Sequence, residues 1–112
     1  MTKRFEDAMQ MMRAADRQRR EDGFQLLRDH LTEDTGELIT EFEREENDHG
    51  LRCWLLELIG EAKSERAFPL LAAQLHSSDE AFRSWAITGL QNLGTKAARR
   101  ALYQARSNGE IP

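Results

Sequence analysis

The stretch LQNLGTKAARRAL (Leu90–Leu102) repeats, without a gap, the stretch LELIGEAKSERAF (Leu56–Phe68) that begins 34 residues before it. Leu56/Leu90, Gly60/Gly94, Arg66/Arg100 and Ala67/Ala101 are identical, and Ile59/Leu93 and Phe68/Leu102 stay apolar. Self-similarity at a period of roughly 20–50 residues marks stacked repeats, in which one unit cannot bury its own apolar face. Each shared position has a task in a helical hairpin. The apolar pair closes a first helix, and glycine supplies the left-handed turn that ends it. Alanine lets a second helix approach, and the large residue after it fills the core.

Composition agrees with a helical reading. Val is absent and Tyr occurs once among 112 residues, so the side chains that favour strands are scarce. Seven glycines and two prolines leave few turns for a strand-rich fold. No apolar run approaches the roughly 20 residues that cross a bilayer. A single cysteine, Cys53, forbids an internal disulfide and fits a reducing, cytoplasmic setting. The net charge of −4 is unevenly spread. Glu33 to Asp48 holds eight acids and one base, a charge of −7, which leaves +3 on the rest. Overall acidity argues against nucleic acid as a partner.

Helical spacing of apolar residues predicts seven helices. Phe5, Ala8, Met9 and Met12 mark the first, about residues 3–17. Phe24, Leu27 and Leu31 mark the second, about 19–31. Asp34 with Glu37 resembles a capping box that starts the third, which ends before Asp48. The fourth runs from about His49 to Ile59, where Gly60 stops it. The fifth covers about 64–76. Ser77 with Glu80 fits the next capping box, with Ser78 or Asp79 as alternative caps. The sixth ends at Gly94, the seventh covers about 96–106, and the tail SNGEIP is expected to fray. Short gaps make neighbouring helices antiparallel.

The pattern from Leu51 to Ala105 resembles the HEAT-like repeat, in the short bacterial form also found in phycobilisome lyase proteins. DEAFRSWAITGLQNLG (Asp79–Gly94) looks most like that family's first helix. LRCW (51–54) matches FRSW (82–85) at an offset of 31 rather than 34, which implies a later first helix about one turn longer. FQLLRDHLTEDTGELITEF reads as a degenerate earlier unit. The resemblance implies an all-α, short right-handed α-solenoid of about three antiparallel hairpins. Their expected bounds are about 19–47, 49–76 and 79–106, with a capping helix at 3–17. In such hairpins the second helices line the concave face.

Chemistry is sparse in the sequence. His30, His49 and His76 follow neither each other's spacing nor the repeat, unlike the histidine–carboxylate pairs of a HEAT-like iron hydroxylase family. No ligand pair at i, i+4 stands out, so no metal and no cofactor is expected. Cys53 lies on the polar side of its helix with Glu57 one turn on, which disfavours a thiolate. Trp54 and Trp85 belong to the apolar arcs, as core residues or, if exposed, as binding anchors.

Two charged strips remain as candidate partner-binding residues. Glu37, Glu41 and Glu45 stand at i, i+4 and i+8, self-repelling unless a cation faces them. Lys96, Arg99 and Arg100, with Arg106 beyond, lie on a last helix that has no acid. The reading is therefore a non-enzymatic protein-interaction module, with no small-molecule substrate, whose partner has a basic surface. A small acidic immunity protein neutralising a basic toxin is one form of it. The alternatives are an enzyme or enzyme accessory related to bilin lyases, and an adaptor or assembly factor.

Overall fold

Asp16, Asp48 and Asp79 each open a helix. Each carboxylate accepts a hydrogen bond from the backbone N–H three residues on, at Arg19, Leu51 and Phe82, all at 3.1 Å. Such caps are worth about 1 kcal/mol each. Four residues after each aspartate comes an arginine that reaches back. Arg20 donates to the carbonyls of Ala14 and Ala15, Arg52 to Phe42, and Arg83 to Ser77. Each cap thus fixes where its helix starts, and each arginine ties that start to the preceding segment.

The computed structural model describes residues 2–112. Its helices are α1 (Lys3–Met12), α2 (Arg17–Arg28), α3 (Leu31–Arg44), α4 (His49–Glu61), α5 (Phe68–Gln74), α6 (Glu80–Leu93) and α7 (Lys96–Ser107), with a 3-10 turn at Glu65–Ala67. No strand occurs among the described residues. Helices α2, α4 and α6 form one layer, packed in that order. Helix α3, the 3-10 turn with α5, and α7 form the other. Helix α1 packs on α2 and is bridged to α3 by Arg4 and Arg13. The molecule is elongated, 42 × 25 × 21 Å, as an all-α solenoid of stacked hairpins requires. The core runs along the seam between the layers, from Phe5 through Leu38, Phe42, Leu55 and Ile59 to Leu90 and Leu102.

The repeat period in three dimensions is 31, not 34. Asp48 and Asp79 cap the first helices of their hairpins, Ser64 caps the 3-10 turn and Thr95 caps α7. Lys63 and Gly94 hold the left-handed turns, with φ of 52° and 64°. Leu55/Ala86, Ile59/Leu90 and Ala67/Ala98 are all fully buried pairs at that offset. Helices α4 and α6 have 13 and 14 residues, so the later one has no extra turn. Three residues are close to one helical turn, which keeps the 34-residue alignment nearly in phase and explains its apparent fit.

Gly60 accordingly does not stop α4. It sits inside that helix, where a Cβ would lie 2.9 Å from the Cα of Gly89 on α6. A Cβ on Gly89 would meet the Gly60 Cα at 3.0 Å and Leu71 Cδ2 at 2.9 Å. The two glycines let the backbones of successive repeats touch.

Other expectations also shift. Helix α1 ends at Met12 rather than near residue 17, because Arg20 claims the carbonyls of Ala14 and Ala15 and Asp16 already caps α2. Helix α3 starts at Leu31, and Asp34 is not its cap. Asp34 is buried inside the first turns and takes a two-pronged hydrogen bond from Arg4, at 2.8 and 2.9 Å. The fifth segment splits between Ala67 and Phe68 into a 3-10 turn and the short α5, since Pro69 in the first turn of α5 has no N–H to donate back into the preceding turn. Asp79 is the cap of α6, and Ser77 Oγ accepts from its N–H.

The tail does not fray. Gly109 turns the chain with φ 74°, the Glu110 N–H donates to the Ala105 carbonyl, and Ile111 enters the core. Arg106 Nε donates to the Pro112 carbonyl, and the His76 ring pairs with Glu110.

The two registers make opposite forecasts for two residues. Gly60→Ala should cost about 1–3 kcal/mol by overpacking, despite alanine's better helix propensity. Lys63→Gly should stabilise by about 0.5–1 kcal/mol by relieving the left-handed turn. Urea unfolding with unchanged helical circular dichroism checks both.

Candidate functional site

The acidic line of α3 is built into the molecule more than the sequence suggests. Arg13, at the end of α1, donates to Glu45 at 2.6 Å and to Glu41 at 3.2 Å. Glu45 also accepts from the backbone N–H groups of Asn47 and Asp48, which ends α3 and leads into the α4 cap. The Arg13 hydrogen bond and then these two N–H bonds lower its pKa from 4.5 to about 2. Glu45 and Glu41 keep only 12% and 17% of their side-chain surface in water. The cation that relieves their repulsion is therefore supplied by this chain. Glu37 lies apart from that clamp. It lines a shallow cleft with Glu33, Thr40, Arg44 and Arg66, and the Arg66 guanidinium rests against Gly36.

The basic residues of α7 are differently placed. Lys96, Arg99 and Arg100 are exposed, and none has a carboxylate within 4 Å among the described residues. Arg99 Nη1 instead donates to the Gly94 carbonyl at 2.6 Å, over the helix start. Tyr103, one turn beyond Arg99 and Arg100, is 71% exposed. Charge patterning alone does not single out Tyr103. Its signal in the sequence is its place on the helical wheel, opposite Ala98, Leu102 and Ala105, the buried stripe of α7. Between the charged helices stands α5, FPLLAAQ, which has no charged residue.

The expectation that no ligand-type pair stands at i, i+4 does not hold at Cys53. His49 is four residues before it, one turn along α4, and Sγ lies 3.9 Å from both ring nitrogens. His49 Nε2 sits 2.8 Å from Asp79 Oδ2, and its ring stacks on Phe82. Three chemistry-bearing groups therefore meet at the α4–α6 seam. Burial first, and then the Asp79 charge, push the thiol pKa up, so this arrangement keeps sulfur protonated. Hydrogen bonding from the Phe82 N–H, with help from His49, holds Asp79 below its usual value. Among the described residues no three His, Cys, Asp or Glu side chains form a metal-binding group.

Trp54 and Trp85 are partly buried against the core, and Trp54 packs on Phe24 at 4.9 Å. A cleft of about 400 Å³ near Trp54 is lined by Met12, Arg13, Arg20 and Leu51. Both arginines are already bonded, Arg13 to carboxylates and Arg20 to carbonyls. No helix is long and apolar enough to cross a membrane among the described residues.

Capped antiparallel hairpins, stacked in two layers with a repeated register, define an α-solenoid. A family model of HEAT repeats matches residues 37–110. The chain belongs to the HEAT-repeat family. No curated protein and no solved structure matches it.

The Arg13 clamp sets a pH dependence. A folded-state pKa below the unfolded value of 4.5 adds stability above that pH and loses it as pH falls toward about 2. Arg13→Ala should therefore destabilise by about 1–2 kcal/mol near neutral pH. The gap between variant and wild type should close between pH 4.5 and 2. Chemical denaturation across that range measures it.

Proposed function

We propose that this chain is a non-enzymatic protein-interaction module whose α3–α5–α7 layer is its docking face. One observation carries the reading: charge is segregated along that layer. Acids crowd α3, α5 is uncharged, and α7 has four cations and no acid. Charge ordered in this way favours one orientation of a partner and speeds encounter more than it adds affinity. Stacked repeats suit this use, because their faces extend further than a compact domain's.

The partner at α3 has a basic surface. Glu37, Glu41 and Glu45 set the negative field there. Glu33 and Glu37 are the members that a partner reaches, while Glu41 and Glu45 hold Arg13. A basic toxin held inactive by such a face is the sharper form of this reading, and an adaptor between proteins is the looser one. A bilin-lyase-like role receives less support, since the Cys53 thiol is disfavoured as a nucleophile.

Affinity capture from the native cell, comparing wild type with Glu33→Lys/Glu37→Lys, tests the reading without touching the clamp. A basic partner should be captured by wild type and lost about tenfold or more in the variant, with folding unchanged. Equal capture by both, or an acidic partner lost from this face, would contradict it.

A further inference from the structure

The acid-free helix α7 forms the basic end of the α3–α5–α7 face. The geometry points to Tyr103, with Arg99, Arg100 and Lys96, as a site that docks a short acidic segment of another protein. This rests on the interaction-module reading and adds a partner class to it.

Helical spacing puts Lys96, Arg100, Tyr103 and Ser107 in one line, at i, i+4, i+7 and i+11. Arg99 flanks that line, one turn before Tyr103. The opposite stripe of Ala98, Leu102 and Ala105 is buried, so the line faces outward. Tyr103 is the most exposed large hydrophobic residue described, at 71%. Leu26 is next, at 37%, and belongs to α2. An exposed aromatic among arginines unites the residue types that dominate interface hot spots.

The unmet charge argues for the occupant. Lys96, Arg99 and Arg100 have no ion pair among the described residues. Glu110, the nearest acid in sequence, is held by His76 and Asn108 instead. The line from Lys96 to Tyr103 spans about 10 Å, which matches three or four residues of an extended chain. A few carboxylates fit that length. A long polyanion fits less well, because the chain as a whole is acidic and the −7 segment at Glu33–Asp48 shares this layer. Tyr103 adds a flat apolar body and a hydroxyl, which suit a protein segment with an apolar side chain among its acids.

A fluorescein-labelled Glu/Asp/Ser peptide with one central leucine serves as the probe, read by anisotropy. Wild type should bind it. Arg99→Glu/Arg100→Glu should abolish binding, and Tyr103→Ala, which moves no charge, should weaken it about tenfold. Glu33→Lys/Glu37→Lys should leave binding intact, so failure of the α3 reading and failure of this one are distinguishable. All these side chains are exposed or outside the clamp, and circular dichroism confirms folding. No binding by wild type would overturn the proposal. So would full affinity in Tyr103→Ala, or equal binding of single-stranded DNA carrying the same charge, which would mark a general polyanion surface.

Discussion

The backbone contact of Gly60 with Gly89 is the constraint on which the other features depend. It brings α4 and α6 closer than side chains permit, and so fixes how one repeat sits on the next. Once these helices are seated, the Asp caps and their arginines lie 31 residues apart and do the same work in each unit. Leu71 closes over Gly89 from α5, which orients the second layer against the first. The position of α7, and hence its outward line of cations, depends on that stack.

The two charged surfaces differ in what they cost the fold. On α3, charge is absorbed. Arg4 neutralises buried Asp34, and Arg13 is shared between Glu41 and Glu45, one cation against two carboxylates. These pairs bind α1 to the solenoid, and breaking the first would strand the buried carboxylate of Asp34. On α7, charge is left unpaired, in water, at little cost to folding. A surface whose charges are internally satisfied serves architecture first. On α7 the cations reach at most backbone carbonyls, Arg99 that of Gly94 and Arg106 that of Pro112, and leave the exposed Tyr103 among charges that no carboxylate answers.

Much of this architecture is legible in the sequence. Helix existence, the apolar stripes and the hairpin order come from spacing alone, because burial on one face imposes the period. Register is harder. Sliding by three residues nearly preserves the helical phase, so Gly60 pairs with Gly94 in the sequence while Lys63 occupies that turn in the structure. Glycine itself is ambiguous, since it serves both as a left-handed turn and as a point of close approach. Asp34 has the look of a cap because the sequence does not reveal Arg4 opposite it. The Arg13 clamp is hidden for the same reason: it joins residues 28 and 32 positions apart. The Cys53–His49 pair and Tyr103 are legible from local helical spacing, though neither repeats nor carries a charge pattern that draws the eye. Ile111 escapes detection because a short polar tail conceals one anchoring side chain.

Native-state hydrogen exchange tests the central claim, that the glycine contact makes α4 and α6 one unit. Buried amides of both helices should exchange through the same opening, with the highest protection in the chain. Protection should be lower in α7, which has neighbours on one side only. Protection of α6 and α7 together as one unit, with α4 opening separately alongside α3, would contradict it.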